Sequence, residues 1–416
     1  MLLRFRFSNF RSFRTEQELS LIAGPFTDAL EAVRHPDAVP EGVLPVAAIY
    51  GANASGKTNV LHAIQFLTKA VEFSHSRWEP HGLISREPFF NDEESRQSPS
   101  DFEIDFLTNG IRYSYGFRVD SAVVLEEWLY AYPLGKKQTW FHRKQGKPIS
   151  FGARMPGENR TIESLTRKNS LFLSAAAQNN HAALLPVYQW IPELVFVIGD
   201  RASYQTLTAE LCTAPDFLAD VERLVSVADL GISGVKVEEE LVPGDNKLVG
   251  PAKSFGATKK QQIRLLHRLG DRDVPFNMRQ ESQGTMAYLA LLGPAVHALT
   301  VGAPLCVDEL DGSLHPLLSI QLIRLFNNPE TNPKGAQLIF NTHDTNLLSS
   351  GILRRDQIWF TEKKDDGSSH LFPLSDFKPR RTENLENGYL QGRYGAIPFI
   401  NPDAFLSRFE DKDAKA

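Results

Sequence analysis

The feature that most constrains the fold of this chain is residues 46–58, which read Val-Ala-Ala-Ile-Tyr-Gly-Ala-Asn-Ala-Ser-Gly-Lys-Thr. An apolar, β-prone run leads into the pattern G-x-x-x-x-G-K-T, and a helix-like pattern over residues 59–70 follows at once. A strand, a glycine-rich loop and a helix in that order are the context of a phosphate-binding P-loop. The segment therefore predicts a nucleotide site at the end of a strand, whereas a plain glycine-rich turn would not require this flanking order.

Each residue type in the loop suits contact with a nucleotide. Gly51 and Gly56 let the backbone curl so that N–H groups point at phosphate oxygens, and the start of the helix adds its positive dipole end. Lys57 is predicted to reach the β- and γ-phosphates as a catalytic residue, and the Thr58 hydroxyl is predicted to hold Mg²⁺. The predicted nucleotide-binding residues of the loop are Gly51, Asn53, Ser55, Gly56, Lys57, Thr58 and Asn59.

Composition narrows the class of protein only a little. The chain has 416 residues, enough for two or three packed units, and its net charge of −5 gives no whole-chain attraction to nucleic acid or membranes. Its two cysteines, Cys212 and Cys306, lack metal-ligand spacing, so a disulfide framework is not expected. No apolar run approaches the ~18 residues of a membrane span, and we expect a cytoplasmic protein without a membrane partner.

The order of elements predicts three parts. Residues 1–160 are predicted to form an N-terminal lobe with the P-loop and an antiparallel β subdomain, in which Asn109 and Gly110 turn a hairpin. Residues 161–270 show helical patterns broken by prolines, which predict a mostly helical insertion. Residues 271–416 alternate helix and strand, so we expect a C-terminal lobe of parallel α/β structure.

Two carboxylates follow an apolar run in the C-terminal part. The solid apolar runs 304–307 and 336–341 suit central strands that are buried on both faces. Asp308 and Glu309 come directly after the first run, an arrangement typical of a Walker B strand. We expect Asp308 to complete the Mg²⁺ shell and Glu309 to act as the general base for the attacking water. The alternative is that these carboxylates only end a strand and begin a turn.

Polar residues at two further points are candidates for the same site. His343 follows the run 336–341, at the ligand-bearing edge of an open α/β sheet, and is expected to hydrogen-bond the γ-phosphate as a catalytic sensor. Ser282 and Gly284 precede the predicted helix 285–299 and can offer a hydroxyl and N–H groups to an anion. For His343 the alternative is a structural histidine, and for Ser282 it is a plain helix N-cap.

The order of these motifs resembles that of the ABC-type ATPases. The P-loop comes first, then Ser-x-Gly-Thr before a helix, the strand with Asp-Glu, a D-loop-like Leu-Asp-x-x-Leu-His-Pro at 310–316 and Thr-His-Asp at 342–344. More narrowly, the chain resembles the ABC-like ATPases related to SMC, Rad50 and the overcoming-lysogenization-defect group. The opening residues 3–13, Glu-Trp-Leu-Tyr at 127–130 and the motif at 388–399 resemble the AAA15 family of bacterial ATPases. Members include ATPase subunits of two-gene abortive-infection and antiphage defence systems.

The resemblance implies ATP and Mg²⁺ as ligands and an ATPase that works as a switch. It also implies that Ser282 and Gly284 act in trans on ATP held by Lys57 and Thr58 of another subunit, in a head-to-tail homodimer or higher homo-oligomer. The leading hypothesis is a sensor ATPase of an antiphage system that controls a separately encoded effector of the nuclease type. The alternative, from a different class, is a DNA repair or recombination ATPase of the Rad50 or RecF type that binds DNA directly.

Some features depart from the family pattern. The signature reads Glu-Ser-Gln-Gly-Thr rather than Leu-Ser-Gly-Gly-Gln, no Q-loop stands out (Gln97 is one candidate), and the long coiled coil of SMC and Rad50 is absent. A self-contained nuclease is the weakest hypothesis, because residues 351–416 are too short for a TOPRIM domain. Residues 365–367, Asp-Asp-Gly, predict a turn between two strands instead.

A cluster of basic residues bears on direct DNA binding. Such side chains could contact phosphates, although a solvated helix face explains them equally well. The cluster consists of Lys253, Lys259, Lys260, Arg264, His267, Arg268 and Arg272.

Overall fold

A computed structural model describes residues 1–153, 155–228, 231–242 and 258–398 of the protein. The strands are β1 (Leu2–Ser8), β2 (Gln17–Ser20), β3 (Val46–Gly51), β4 (Ser100–Thr108), β5 (Ile111–Val119), β6 (Val124–Ala131), β7 (Gln138–Lys144), β8 (Ser150–Phe151), β9 (Val195–Val197), β10 (Ile232–Val242), β11 (Thr258–Leu269), β12 (Arg272–Asn277), β13 (Pro304–Val307), β14 (Gln337–Asn341), β15 (Ile358–Lys363) and β16 (Ser369–Pro373). The helices are α1 (Lys57–Phe73), α2 (Glu93–Gln97), α3 (Asn159–Leu165), α4 (Phe172–Gln178), α5 (Leu185–Trp190), α6 (Ala202–Leu211), α7 (Pro215–Ala228), α8 (Gln283–Val301), α9 (Pro316–Asn327), α10 (Asn346–Ser349) and α11 (Leu385–Leu390).

The central sheet carries the P-loop. Its strand order is β16-β15-β3-β14-β13-β9, and the five strands from β15 to β9 run parallel. Every residue of β3, β13 and β14 is buried, as the solid apolar runs predict for strands covered on both faces. Strand β16 pairs antiparallel with β15 across the turn at residues 365–367, where that turn was predicted. The α/β fold class is confirmed.

A second sheet is antiparallel and is built from the N-terminal part of the chain. Its order is β2-β1-β4-β5-β6-β7-β8. Strands β4 and β5 meet at the predicted hairpin, where Thr108 pairs with Ile111. Asn109 and Gly110 have φ angles of 50° and 73°, the left-handed values that a type I′ turn requires.

Helix α1 lies between the two large sheets. Its buried positions 60, 61, 64, 67 and 71 recur at helical spacing and share one apolar core with β3 and β4. The ring of Phe66 lies 4.8 Å from that of Phe102 on β4, centroid to centroid. Neighbouring residues of β3 face opposite sides, because Ile49 belongs to this core and Tyr50 to a second core shared with α8. Both faces of the central sheet are therefore packed.

The segment 161–270 is helical only in part, although a mostly helical insertion is expected there. Helices α4 to α7 lie in it, but β9 adds a parallel strand to the central sheet beside β13. Strands β10 and β11 form a small antiparallel sheet with β12. A three-residue strand such as β9 is too short to stand out against helical periodicity. The division of the chain at 160 and 270 stays a prediction, and residues 399–416 of the C-terminal part lie outside the described residues.

Helix α8 is the core helix of the second apolar cluster. Within the part of the chain that the structure describes, it is the one helix long and apolar enough to cross a membrane by length and composition. Of its apolar window, 61% is buried inside the protein, and a buried core helix passes the same test. The expectation that no apolar run approaches membrane-spanning length is therefore wrong for α8, and packing against β13 and α6 accounts for its apolar composition.

Candidate functional site

The P-loop connects the buried end of β3 to the start of α1. Gly56 precedes the helix with φ of +109°, and a Cβ there would lie 2.6 Å from the Ser369 hydroxyl, so only glycine fits. The Ser55 hydroxyl lies 2.6 Å from the Thr361 hydroxyl on the adjacent strand β15 and anchors the loop to the sheet. Asn53 lies exposed at the tip of the loop. The loop thus has a fixed base and an open upper side.

The Lys57 ammonium lies across the inside of this loop. It donates to the carbonyl oxygens of Gly51 at 2.9 Å and Ala52 at 3.0 Å, and its side chain is buried. Burial lowers the pKa of Lys57, while the carboxylates of Glu309 and Asp308 act in the opposite direction. An ammonium so placed faces the space where the loop N–H groups would hold phosphate oxygens.

A chain of hydrogen bonds joins the P-loop to the ends of β13 and β14. The Thr58 hydroxyl donates to Asp308 Oδ1 at 2.9 Å, and the amide of Asn341 donates to the same oxygen at 2.5 Å. The Asn341 side-chain oxygen accepts from the Glu309 N–H at 2.7 Å. Asn341, which sequence reasoning did not select, thereby holds both predicted Walker B residues. Its signal in the sequence is a polar residue at the end of a fully buried strand.

The hydroxyl of Thr58 and the carboxylate of Asp308 form a donor set that fits Mg²⁺. Magnesium keeps several waters and takes few protein ligands when phosphates are present. In the described ranges no group of three or more His, Cys, Asp or Glu that could hold a metal ion occurs, so this pair is the donor set to consider. It lies at the start of α1, directly beside Lys57.

The D-loop region, residues 309–315, follows with an unusual backbone. Glu309 and Ser313 have φ angles of 51° and 64°, left-handed values that are costly for residues other than glycine. The Glu309 side chain is exposed at the carboxyl edge of the sheet. Asp311 accepts from the Thr342 hydroxyl at 2.7 Å and from the His343 N–H at 3.3 Å. The loop after β13 and the loop after β14 are therefore tied together.

His343 reaches the same edge beside Lys57. Burial lowers the pKa of His343, and the positive charge of Lys57 lowers it further, while Asp311 opposes the shift. The imidazole is thus neutral at pH 7, so one of its nitrogens can donate a hydrogen bond and the other can accept one. The structure brings together Lys57, Thr58, Asp308, Glu309 and His343 of one chain.

Ser282 and Gly284 lie at the start of α8, in contact with the D-loop rather than with the P-loop. The Ser282 hydroxyl accepts from the Thr285 N–H at 3.0 Å, so it caps the helix, which is the plain alternative reading. A Cβ on Gly284 would lie 3.3 Å from the Ser313 carbonyl oxygen. For the residues that the structure describes, no hydrogen bond joins the signature to Lys57 or Thr58 of the same chain.

The segment around Arg11 packs against the P-loop helix and was not among the predicted site residues. The Asn59 amide donates to the Ser12 hydroxyl at 2.9 Å. Arg11 binds both oxygens of Glu87 at 2.9 Å and reaches Asn59 Oδ1 at 3.4 Å. Gln97, the Q-loop candidate, instead donates to Glu93 on its own short helix.

The motif at residues 388–398 packs behind the P-loop strand. The Tyr389 ring lies 5.8 Å from that of Tyr50 and 5.4 Å from that of Phe360. In the same helix, Glu386 accepts from the Thr345 hydroxyl at 3.0 Å, just beyond His343. This motif therefore supports the strand and loop that hold the site.

The predicted basic cluster is partly neutralised by carboxylates. Arg264 lies 2.6 Å from Glu238, Arg268 lies 2.8 Å from Asp273, and His267 lies 2.8 Å from Glu281. Lys259 and Lys260 belong to β11, Arg272 begins β12, and Lys253 lies outside the described residues.

A parallel sheet with a P-loop and Walker B carboxylates at its carboxyl edge defines an α/β protein of the P-loop ATPase class. A family model described as "AAA domain, putative AbiEii toxin, Type IV TA system" matches residues 46–349, most of the chain. The chain belongs to this family. The narrower resemblance to the AAA15 family stays a prediction.

Solved structures also resemble this chain. One is described as "Crystal structure of the SmcHead bound to the C-winged helix domain of ScpA", with 15% sequence identity and a TM-score of 0.44. The match covers 91% of this chain and 99% of that one. A comparison with curated proteins finds no match.

Proposed function

We propose that this protein is the ATP-binding and ATP-hydrolysing switch subunit of an abortive-infection system that acts in the cytoplasm and controls a separate effector of the nuclease type. The observation that carries the ATPase assignment is the hydrogen-bonded chain from Thr58 through Asp308 and Asn341 to Glu309. This hydrogen-bonded chain supports a metal-binding role for Thr58 and Asp308 and a role as base for the exposed Glu309 carboxylate. The family description, with its AbiEii and toxin–antitoxin terms, supports the defence role.

The residues have distinct tasks in this proposal. Loop N–H groups and Lys57 bind the phosphates, while Thr58 and Asp308 would hold Mg²⁺, which would supply charge neutralisation at the phosphates. Glu309 accepts a proton from the attacking water as general base. Neutral His343 hydrogen-bonds the γ-phosphate and changes partners when that group leaves.

A second copy of the chain would complete the site. Ser282 is exposed and Gly284 is half-buried next to the D-loop region, and the positive dipole end of α8 lies at the same place. An ATP-dependent homodimer would bring this signature to the γ-phosphate bound by the partner. Loss of that phosphate removes the contacts that favour the closed dimer, which makes hydrolysis a timer.

Direct DNA binding, the function of the competing repair hypothesis, receives less support. Arg264, Arg268 and His267 each lie within 3 Å of a carboxylate, so the charges of the two arginines are already partly compensated. The described residues do not favour a phosphate-binding surface there over a solvated ion-paired sheet. We therefore propose the switch and not the repair ATPase.

The test compares ATP binding with ATP turnover. Lys57→Ala should abolish nucleotide binding, whereas Glu309→Gln should bind ATP normally, lose about a hundredfold in kcat and accumulate as an ATP-bound dimer. Lys69→Ala changes an exposed lysine of the same helix and serves as the matched control. Light scattering with and without ATP measures the dimer. Turnover at the wild-type rate by Glu309→Gln would refute the assignment of the base.

The defence role needs a cellular measurement. Cells carrying this gene with its neighbouring gene are challenged with phage, and each Lys57 or Glu309 variant is compared with the intact pair. Protection that depends on both genes and on Lys57 is the expected result. Protection unchanged by Lys57→Ala would show that the nucleotide site does not control the effector.

A further inference from the structure

Arg201 occupies a position beside the Walker B strand that none of the motifs includes. It follows β9, whose Val197 is paired with Val307, and it immediately precedes α6. The Asp308 N–H donates to the Val197 carbonyl oxygen at 2.8 Å, which continues the ladder to the point where both strands end. Arg201 thus arrives at the carboxyl edge of the sheet, where ligands bind in open α/β folds.

The guanidinium of Arg201 contacts the main chain of the D-loop region. It donates to the carbonyl oxygens of Glu309 and Gly312, and it lies 3.4 Å from the carbonyl oxygen of Asp308. The planar fork of an arginine can reach several such oxygens at once, which a lysine ammonium cannot do with the same geometry. These contacts use main-chain oxygens, so the Glu309 carboxylate stays exposed for water.

Glu309 needs such support because its backbone is left-handed. A φ of 51° is unfavourable for glutamate and persists only where the surroundings fix it. Asn341 accepts from the Glu309 N–H on one side, and Arg201 donates to the Glu309 carbonyl oxygen on the other. The two side chains together hold the peptide groups that aim the carboxylate.

Helix α6 connects Arg201 to the signature helix α8. The Thr208 hydroxyl donates to the Leu289 carbonyl oxygen at 3.1 Å, and the Gln205 amide donates to that of Met286 at 3.3 Å. The two helices approach so closely at Gly293 that a Cβ there would lie 2.1 Å from Thr208 Oγ1. Helix α6 is therefore bonded to and closely packed against α8, and its first turn begins directly after Arg201.

We propose that Arg201 is a positioning residue for the general base Glu309, and that α6 makes this positioning depend on how the signature helix α8 is seated. The inference rests on the proposed ATPase function. Under this proposal, contact of the signature with a second copy also aligns the base, because helix α6 connects the signature helix α8 to Arg201. ATP binding by the P-loop does not depend on Arg201.

The experiment measures kcat, KM and ATP affinity for Arg201→Ala and Arg201→Lys in the full chain. Arg201→Ala should lower kcat about tenfold or more while ATP affinity stays within about twofold, because the base is misaligned and the P-loop is intact. Arg201→Lys should fall between, since one ammonium replaces the fork. Arg223→Ala, on the exposed Arg223–Asp220 pair of α7, is the matched control and should behave as wild type.

Two further readouts separate positioning from mere structural support. Millimolar guanidinium ion should partly restore kcat of Arg201→Ala and leave Glu309→Gln unchanged. Combining Arg201→Ala with Glu309→Gln should lower kcat no further than Glu309→Gln alone, because residues that act through one group are not additive.

Wild-type kcat in Arg201→Ala would overturn the proposal, and so would a loss of ATP affinity equal to the loss of kcat. A lowered melting temperature with no guanidinium rescue in either Arg201 variant would assign Arg201 to the fold alone. Absence of ATP turnover in the wild-type protein is a different result, because it refutes the proposed function itself.

Discussion

The P-loop and the D-loop region lie side by side at one sheet edge, yet their backbones are shaped by different means. In the P-loop the residue before the helix is Gly56, where φ is +109° and no side chain fits, although Ala54 also adopts a left-handed φ of 61°. In the D-loop region, Glu309 and Ser313 take left-handed values. Hydrogen bonds from Asn341 and Arg201 hold the peptide groups of Glu309. One loop uses intrinsic backbone freedom, and the other depends on distant side chains.

Gly56→Ala is expected to disrupt the P-loop backbone and to have the largest effect of the substitutions in this comparison. The new Cβ meets the hydroxyls of Ser369 at 2.6 Å and Ser12 at 2.9 Å, so the loop must move away from its phosphate-binding shape. ATP affinity measured by calorimetry should fall about a hundredfold or more, since each misdirected N–H loses a charge-assisted hydrogen bond.

Gly110→Ala is the matched control for that substitution. Gly110 also has a positive φ, of 73°, but its Cβ would meet nothing within 4 Å. It should cost about 1 kcal/mol in the free energy of unfolding and leave ATP affinity unchanged. Equal loss of ATP affinity in both variants would mean that Gly56 matters only for the fold.

Asn341→Ala is expected to disrupt the D-loop region, whose backbone depends on hydrogen bonds from distant side chains. Asn341 is fully buried, and its removal leaves the Glu309 N–H without its acceptor and leaves Asp308 Oδ1 with the Thr58 hydroxyl alone of its two donors. The free energy of unfolding should fall by about 1–3 kcal/mol, and kcat should fall about a hundredfold because the base is misplaced.

Asn332→Ala provides the comparison for Asn341→Ala. This amide is equally buried and bonds to Phe326 and Ala336, before β14 begins rather than where it ends. It should lower stability by a similar amount and leave kcat within about twofold. If both variants lose kcat equally, the D-loop contacts of Asn341 have no special role.

A smaller effect is expected in the pH dependence of turnover, which reports on His343 beside the D-loop region. The pKa of His343 lies below its ordinary value of 6.5, so the imidazole stays neutral at pH 7 and protonates only as the pH falls further. Turnover should decline on that acid side, where the protonated ring loses its acceptor nitrogen. His343→Asn should lower kcat and remove this component of the pH profile. An unchanged profile would exclude His343 as the titrating group.

The smallest expected effect belongs to the small antiparallel sheet. Arg264→Gln removes an ion pair at the surface with Glu238 and should change the free energy of unfolding only slightly, because solvent screens the pair. Duplex DNA affinity at low salt should be equally weak before and after the change. Strong, salt-dependent binding that this substitution reduces would instead favour the DNA repair hypothesis.

The sequence predicted the parts of the structure that depend on neighbouring residues. The hairpin at Asn109 and Gly110 and the buried strands β13 and β14 follow from local pattern, and the structure contains them. The P-loop residues are close neighbours along the chain, so their grouping is visible in the sequence.

The remaining parts depend on contacts that the sequence does not display. Arg201 meets Glu309 across 108 positions, and Asn341 meets Glu309 across 32. Asn341 ends β14 and Arg201 follows β9, but only the sheet order places the ends of those two strands close together. Strand β9 itself is three residues long, and the helical pattern around it conceals its place in the central sheet.

Helix α1, packed between the two large sheets, has a mechanical consequence. Its 17 residues make it about 25 Å long, and apolar side chains fix it along that length. A tilt of the end at Lys57 would therefore also displace the end at Phe73. We expect the antiparallel sheet to shift during nucleotide turnover, although it contains none of the reacting groups.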